Sequence, residues 1–383
     1  MVPVDRHDQT NRTTTEAASV PLRVLAIDVG AGTQDVLLYD SDKTPENCFK
    51  LVLPSQTQVV GKRIRDATAA RLPVHLTGTL MGGGESGHAV ADHLAAGLAV
   101  TATPGAATTI HNDLARVERI GVEIRDDAPA GTAIVETKDV DLGALGLALR
   151  AFGVELPDVV AVAVQDHGYR PGAGNNEVRF DYLQGLIDGG GDLARMVYRE
   201  PPDGMTRMTA VAAAVPGVYL MDTGGAAVLG ALGDPLVAAA VRGPGAILVN
   251  VGNMHTFAVL VRGQRLYGLF EHHTGGITPA IIEDLVGRLR AGTLQPETFR
   301  RDFDGHGAAM HAAYRDEGQF AFVAVTGPNR RLAHGLGYHM AVPHGDMMLA
   351  GAFGLVEGVL LAHAAEGRNP GVSLLAPPDG NSP

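Results

Sequence analysis

The sequence predicts an α/β protein built from two related domains around a cleft. Apolar strand-like runs alternate with helical patterns along most of the chain, which favours layers of helices packed on sheets. A three-stranded meander followed by a helix begins near residue 23 and occurs again near residue 246. In each copy the first strand ends in a polar residue and a glycine, Asp28 with Gly30 and Asn250 with Gly252. We infer an internal duplication; the alternative is coincidence between two glycine-containing hairpins.

The first copy starts with three short strands. Short turns separate "RVLAID" (23–28), "DVLLYD" (35–40) and "FKLVLP" (49–54), which is typical of an antiparallel meander. Residues 56–72 have apolar positions at helical spacing, and strands then alternate with helices up to "DVVAVAVQDHG" (158–168). That last strand ends in Gln165, Asp166 and His167, and the carboxyl ends of strands commonly carry site residues.

The second copy has the same pattern. "AILVNVGNMHTFAVLV" (246–261) and "QRLYGLF" (264–270) supply three strands, and "TPAIIEDLVGRLR" a helix. Thr278 is the expected N-cap, with Pro279 at the first helical position. Further on, "DGHGAAMH" (304–311) contains His306 and His311 and predicts a solvated loop, because glycine is abundant and Asp304 is its one acid.

Composition excludes several classes of protein. The chain has 383 residues, is 45% hydrophobic and carries a net charge of −12, which allows a large core and argues against a nucleic-acid partner. A single cysteine, Cys48, excludes an intrachain disulfide, a cysteine zinc site and a cubane cluster. We expect residues 1–21 to form a disordered arm and residues 367–383 a flexible tail. We expect a cytoplasmic protein without a membrane partner.

The two glycine turns have the chemistry of phosphate cradles, because glycine lets backbone N–H groups approach an anion closely. Gly30, Gly32 and Thr33 would hold a phosphate from one side, and the turn at 252–256 from the other. Asp28 would hold Mg²⁺ through its waters. The P-loop and dinucleotide fingerprints fit less well, because no Gly-Lys-Ser/Thr is present and a strand follows the turn.

The order of these elements resembles the actin-like ATPase superfamily of sugar kinases, actin and heat-shock chaperones, over residues 22–363. "IDVGAGTQD" and "ILVNVGNMHT" are similar to its two phosphate motifs. "VYLMDTGGAAVLGALG" (218–233) and "HGDMMLAGAFGLVEGVLLAHAA" (344–365) resemble its connecting segments. "EHHTGGITPAIIEDLV" (271–286) resembles its Gly-Gly helix start, and "FVAVTGPNRR" (322–331) its adenosine motif.

This resemblance implies two ribonuclease H-like domains around a nucleotide cleft, at 22–240 and 241–349, with a connecting helix at 350–366. It implies ATP and Mg²⁺ as cofactors, and Asp28, Asp222 and Asp166 (with His167 as an alternative) as catalytic candidates. Asp222 has an alternative role as a helix N-cap, and Asp166 as a bonded turn residue. The residues implied to contact the nucleotide are Gly30, Ala31, Gly32, Thr33, Gln34, Gly252, Asn253, Met254, His255, Thr256, Gly275, Gly276, Gly327 and Pro328.

Within the superfamily, "AVQDHG", "NVGNMHT" and "HGDMMLAGAFGL" resemble a prokaryotic family labelled as pyruvate formate-lyase activating enzymes. Radical activation needs an iron–sulfur cluster on three nearby cysteines, which Cys48 alone cannot provide. Actin-like ATPases that drive electrons into acyl-CoA dehydratases need two cysteines per subunit. The sequence therefore disfavours both kinds of activator.

Two departures keep several functions open. Asn250 stands where the superfamily usually has Asp, and an amide cannot act as a base. Gly327 is followed by Pro328, where the superfamily doubles the glycine. The hypotheses are an Mg-ATP-dependent kinase or ATPase acting on an unknown small molecule, a nucleotide-gated protein that signals to a partner, and a scaffold that has lost the nucleotide. The oligomeric state stays open.

Two segments are expected to contact the substrate. The glycine-rich loop 81–88 could be a second anion site, a substrate loop or a linker. Residues 165–179 hold Arg170, Asn175, Asn176 and Arg179, which suggest a polar or anionic ligand.

A metal site is a further hypothesis for Glu271, His272 and His273. Adjacent histidines on a strand point to opposite faces, so His272 and His273 cannot both ligate one ion. A helix start with Gly275 and Gly276 near the nucleotide is the preferred interpretation of this segment.

Overall fold

The computed structural model describes residues 21–174, 176–296, 299, 306–312, 314, 317–368 and 373–375. The predicted arm, apart from residue 21, and most of the predicted tail lie outside the described residues, as does Asn175.

The first domain is organised around a six-stranded sheet of order β3-β2-β1-β8-β10-β9. Its strands are β1 (Arg23–Val29), β2 (Thr33–Asp40), β3 (Phe49–Pro54), β8 (Val159–Val164), β9 (Val197–Tyr198) and β10 (Tyr219–Met221). The first three form the predicted antiparallel meander, β8 lies parallel to β1, and β10 lies parallel to β8. Three antiparallel strands continued by two parallel ones is the topology of the ribonuclease H-like fold.

A second six-stranded sheet repeats this topology in the order β14-β13-β12-β11-β15-β16. Its strands are β11 (Ala246–Val251), β12 (His255–Arg262), β13 (Arg265–His273), β14 (Gly307–Met310), β15 (Phe322–Thr326) and β16 (His339–Met340). Again β11, β12 and β13 form a meander, and β15 and β16 continue it in parallel. The fold is therefore that of the actin-like ATPases, two related α/β domains, as the sequence predicted.

A third, smaller sheet is inserted between β3 and β8. It contains four parallel strands in the order β6-β5-β4-β7, namely β4 (Val74–Gly78), β5 (Val100–Ala102), β6 (Val122–Ile124) and β7 (Ala133–Thr137). The strands after residue 56 therefore form a sheet of their own within the predicted range 22–240. Hydrophobic periodicity alone could not show that they are separate from the first sheet.

Helices cover the sheets and join the domains. They are α1 (Gln56–Ala69), α2 (Gly84–Ala95), α3 (Pro104–Ala107), α4 (Leu114–Arg119), α5 (Leu142–Arg150), α6 (Glu177–Asp188), α7 (Thr206–Ala214), α8 (Thr223–Ala231), α9 (Pro235–Arg242), α10 (Pro279–Ala291) and α11 (Ala350–Ala365). The Thr278 hydroxyl accepts a hydrogen bond from the amide of Ile281, so the predicted cap of α10 is present. Among the described helices none is by itself long and apolar enough to cross a bilayer; the bent pair α8 and α9 meets that test by length and composition only.

The two connecting helices, α8 and α11, cross in close contact. A Cβ added to Gly354 would overlap the carbonyl oxygen of Ala226 and lie 2.7 Å from the amide nitrogen of Gly230. A Cβ on Gly230 would likewise overlap the carbonyl oxygen of Ala350. Because both contacts are with backbone, the crossing depends on two residues without side chains.

Candidate functional site

A cleft of about 670 Å³ separates the domains, and both glycine turns line it. The first turn, between β1 and β2, contributes Gly30, Ala31 and Thr33, and the second, between β11 and β12, contributes Gly252 and Asn253. The loop at 80–84 and the segment 165–170 line the same cleft, as the substrate prediction required. The two turns therefore face a common space.

The two turns have the same geometry. The amide of Gly30 donates to the carbonyl of Thr33 at 2.9 Å, and the amide of Gly252 donates to the carbonyl of His255 at 2.9 Å. A Cβ at Gly30 would lie 2.9 Å from Thr33 O, and one at Gly252 would lie 2.8 Å from His255 O. The structural counterpart of Thr33 is therefore His255, one residue earlier than the Thr256 that the sequence suggested.

The turns approach each other directly. A Cβ on Gly32 would lie 2.7 Å from the Nδ2 atom of Asn253, so the exposed Asn253 side chain would have to rotate away from any larger residue there. Each turn is also braced from its own domain. The Ser55 hydroxyl donates to the carbonyl of Ala31 at 2.9 Å, and the Asn329 amide group donates to the carbonyl of Gly252 at 3.0 Å.

Two carboxylates stand beside the first turn. Asp28 and Asp35 are directly opposed in the β1–β2 register, which places both side chains on the cleft side of the sheet. Their Oδ1 atoms are buried without a hydrogen-bond partner among the described residues. Burial, together with the charges of Asp35 and Asp222, raises the pKa of Asp28 well above its ordinary value. Burial likewise raises the pKa of Asp35, to about 7.

One part of the cleft lining is apolar. The turn after β15 contributes Gly327 and Pro328, and the approach to α11 contributes Met347 and Met348. Gly327 has a φ of +97°, and a Cβ there would lie 2.5 Å from Asn250 Oδ1. This turn therefore packs against the end of β11 in a conformation that favours glycine.

Asp222 is held in an ion cluster under the cleft. Its carboxylate caps α8 by accepting from the Gly224 amide at 3.0 Å, and accepts from Arg179 Nη1 at 2.5 Å and Nη2 at 3.1 Å. Arg179 also donates to Glu271 Oε2 from Nε at 3.0 Å and from Nη2 at 2.6 Å. Asp222 is therefore a helix N-cap, which is the alternative role noted from the sequence. Because its carboxylate is paired with a guanidinium, it is also a poor base.

The same cluster pairs Arg179 within the chain. Arg179 is 2% exposed, and its remaining contact is with the carbonyl of Asp166 at 3.0 Å. Arg170 is exposed and pairs with Glu177 and Asp181. Arg170, Asn176 and Arg179 all line the cleft. That this segment contacts a polar or anionic ligand stays a prediction.

Asp166 is hydrogen-bonded to the backbone through both oxygens. Its Oδ1 accepts from the Gly168 amide and its Oδ2 from the Met208 amide, both at 2.8 Å. Burial raises its pKa. It therefore positions the loop after β8 and the start of α7, and it also lines the cleft.

A second buried ion pair links the inserted sheet to the first domain. Arg207 donates to Asp139 through Nε and Nη2, both at 2.7 Å, and to the carbonyl of Gln165 at 2.8 Å. Asp139 in turn accepts from the amide of Gly82 at 3.1 Å. The pair thus anchors the glycine-rich loop at the rim of the cleft.

Four histidines gather at the second turn. Ring centroids lie 4.5 Å apart for His255 and His306, 4.1 Å for His273 and His306, and 5.3 Å for His167 and His306. His306 is 4% exposed and precedes β14, so the prediction of a solvated loop is wrong for this residue. The cause is tertiary, because the short apolar run 307–310 completes the edge of the second sheet beside β13.

Burial keeps two of these imidazoles neutral. It lowers the pKa of His167 to about 4 and that of His255 to about 3, and the nearby Arg179 guanidinium acts in the same direction. Burial alone would raise the pKa of Glu271, but Arg179 and a hydrogen bond from His306 hold it well below its usual range. The group therefore combines neutral rings with an ionised carboxylate.

Some predicted contact residues point away from the cleft. Gln34 and Thr256 alternate with cleft-facing neighbours on β2 and β12, so their side chains lie on the opposite face. Gln34 donates to the carbonyl of Pro54, and the Thr256 hydroxyl bonds that of Thr274. Gly275 and Gly276 form an exposed turn outside the cleft lining, because α10 starts later, at Pro279.

The remaining predicted residues lie at the cleft. Those that line it are Asp28, Gly30, Ala31, Thr33, Asp166, Gly252, Asn253, Met254, His255, Gly327 and Pro328. Asp35, Asp139 and Arg207 line it as well and were missed. Asp35 could have been predicted from the sequence, because the register across a short hairpin pairs it with Asp28. Asp139 and Arg207 are brought together by packing between separate sheets.

A match to a family model identifies the protein family of this chain. Residues 81–332 match the model of a family described as "Putative pyruvate format-lyase activating enzyme (DUF1786)". The chain belongs to this family. The matched region includes three of the four strands of the inserted sheet (β5, β6 and β7), the second glycine turn and all four histidines. No curated protein matches the chain.

Several solved structures are similar at low identity. The ethanolamine utilization protein EutJ from Carboxydothermus hydrogenoformans is 12% identical, with 88% of this chain and 90% of that one covered and a TM-score of 0.31. A glycerol dehydratase reactivase is 10% identical, with coverage of 90% and 100% and a TM-score of 0.27. The Ppx/GppA family member of Aquifex aeolicus is 10% identical, with coverage of 72% and 64% and a TM-score of 0.22. Similarity at this level says nothing about what this chain binds.

Proposed function

We propose that the cleft binds an Mg-nucleotide, with the phosphates held between the two glycine turns. The observation that carries this proposal is the pairing of the turns, which share one hydrogen-bond geometry and meet where Gly32 faces Asn253. Backbone N–H groups presented from two opposed turns suit a chain of phosphates, since each turn can neutralise part of the charge.

Magnesium fits the acidic side of the first turn. Asp28 and Asp35 have buried oxygens without hydrogen-bond partners among the described residues, and their mutual repulsion would be relieved by a divalent cation. Mg²⁺ takes few carboxylates and keeps several waters, so we assign these two residues to hold it through water. The cation would neutralise phosphate charge during transfer.

The adenosine half would occupy the apolar part of the cleft. Pro328, Met347 and Met348 offer the apolar surface that a base requires, and the turn at Gly327 lies under the end of β11. A nucleotide placed in this way would contact both domains and lie beside the crossing of α8 and α11. Closure of the cleft would therefore move these two helices relative to each other.

The first candidate activity is ATP-dependent phosphoryl transfer to a small molecule, or ATP hydrolysis coupled to one. The substrate would enter between the loop at 81–84 and the segment 165–170, which line the same cleft. A nucleotide-gated binding protein is the second candidate. It is favoured by Asn250 at the position of a usual carboxylate, and by the pairing of Asp222 with Arg179.

Calorimetric titration with ATP, with and without Mg²⁺, tests the proposal. We expect Asp28→Asn to weaken binding of Mg-ATP by more than it weakens binding of free ATP, because the lost charge faces the ion. Asp42→Asn, on an exposed turn, is the matched control and should bind as the wild type does. Equal losses for both forms of ATP would show that Asp28 does not act through the cation. Multiple turnovers of phosphate release would rule out the purely gated alternative.

A further inference from the structure

We propose that His167, His255 and His306 form a binding site for a divalent transition-metal ion of the zinc class. This site is separate from the magnesium position at Asp28 and does not depend on nucleotide binding. One nitrogen from each of the three rings lies within 4.8 Å of the others.

The three ligands come from three different segments. His167 follows β8 in the first domain, His255 begins β12, and His306 directly precedes β14. The ring centroids of His167 lie 5.6 Å from His255 and 5.3 Å from His306, with the rings near perpendicular. Edge-to-face contact also occurs in packed aromatic cores, so the evidence for a site is the convergence of one nitrogen from each ring.

A buried carboxylate orients one of these ligands. His306 Nδ1 lies 2.9 Å from Glu271 Oε1, and the backbone amide of His306 donates to the carbonyl of Glu271 at 2.9 Å. An ionised carboxylate at Nδ1 fixes the proton there, which leaves the lone pair on Nε2 for an ion. Glu271 is itself held by Arg179 and by Gln165, whose Nε2 donates to Oε1 at 2.9 Å. This arrangement is the carboxylate–histidine–metal relay found around zinc.

One ring nitrogen lacks a partner among the described residues, and a second is bonded to another imidazole. His167 Nδ1 is buried and has no hydrogen-bond partner among the described residues. His306 Nε2, the atom left without a proton, lies 2.9 Å from His273 Nε2. A metal between the rings would satisfy the first atom and use the lone pair of the second. His273 stands opposite His255 in the β12–β13 register, so it is placed to be a fourth ligand.

The donor set selects the kind of ion. Imidazole nitrogen suits zinc and its first-row neighbours, whereas magnesium prefers oxygen ligands. Tetrahedral zinc with Zn–N distances of about 2.0–2.1 Å places its ligand nitrogens about 3.3 Å apart, so the rings must close by no more than about 1.5 Å. Side-chain rotation can supply that movement. Three protein ligands would leave a coordination position for His273, water or a substrate atom in the cleft.

The test measures metal binding alone, without nucleotide. Full-length protein stripped with a chelator is dialysed against zinc chloride at micromolar concentration, and bound zinc is measured by mass spectrometry. We expect one zinc per chain for the wild type and for the control His88→Ala, whose side chain is 75% exposed. His167→Ala, His255→Ala and His306→Ala should each lose at least about tenfold in affinity, since even second-shell changes cost 10–100-fold.

A measurement on the wild type guards against variants that fail to fold. Loading with cobalt(II) should produce the intense visible absorption of a low-coordinate site with nitrogen ligands, and zinc should abolish it. No zinc retained by the wild type, or a cobalt spectrum like that of the hydrated ion, would overturn the proposal. Equal zinc content in all folded variants would show an adventitious ion only. None of these outcomes bears on ATP binding, so the two proposals fail separately.

Discussion

The crossing of the two connecting helices allows a quantitative prediction. In Gly354→Ala the new Cβ would overlap the carbonyl oxygen of Ala226 and approach the Gly230 amide nitrogen to 2.7 Å, closer than real Cβ contacts. Both neighbours are backbone atoms, so no side chain can rotate away, and α8 and α11 must separate. Overpacking of this kind costs about 1–3 kcal/mol, and we expect the upper end because two backbone contacts are lost together.

The matched control is a substitution expected to raise the free energy of unfolding instead of lowering it. Gly287 is exposed on α10, and a Cβ there would meet nothing within 4 Å. Gly287→Ala should therefore stabilise the protein by about 0.5–1 kcal/mol, because alanine loses less backbone entropy in a helix. Urea unfolding followed by circular dichroism measures both. If Gly354→Ala is neutral or stabilising, as the control is expected to be, the close crossing described here does not exist.

Three further outcomes follow from the charges of the site. Arg179→Met leaves two buried carboxylates without their partner and should cost at least about 3–5 kcal/mol in urea unfolding, whereas Arg170→Met breaks only an exposed pair and should leave stability nearly unchanged; equal effects would contradict the burial of the cluster. Burial raises the pKa of Asp35 from its ordinary 3.8 to about 7, so the destabilisation it causes is absent below pH 3.8 and grows as the pH rises to 7. Asp35→Asn should therefore stabilise the metal-free protein at pH 8 by at most about 4 kcal/mol, taking 1.36 kcal/mol per pKa unit, and leave its stability at pH 4 unchanged. The same gain at both pH values would show that the effect does not come from ionisation of Asp35. Added Mg²⁺ should raise the melting temperature of the wild type at pH 8 more than that of Asp35→Asn, and an identical rise would place the ion elsewhere.

Local patterns were enough to predict both meanders and both turns. Short apolar runs predict strands, and a glycine-containing turn between two of them predicts a hairpin, so β1, β2, β11 and β12 were found within a residue or two. The register of the hairpin would have placed Asp35 beside Asp28 and turned Gln34 away, because side chains on a strand change face at every residue.

Contacts between distant segments could not be predicted in this way. The ion cluster joins Arg179 to Glu271 across 92 positions, and the histidine group spans residues 167 to 306. Neither has a periodic signal, because it is the packing of one domain against the other that brings the groups together. His306 was assigned to a solvated loop because the segment is rich in glycine and Asp304 is its one acid. The run "GAAM" that follows His306 has little intrinsic preference for a strand and forms β14 where β13 offers an open edge.

The central claim is that two opposed backbone turns hold the phosphates of a nucleotide. Calorimetric titration of the wild-type protein with ATP, ADP, AMP and adenosine in the presence of Mg²⁺ tests it most directly. We expect ATP and ADP to bind at least tenfold more tightly than AMP and adenosine, because the longer phosphate chains can reach both turns. Equal affinity across the series, or no heat with millimolar ATP, would contradict the account.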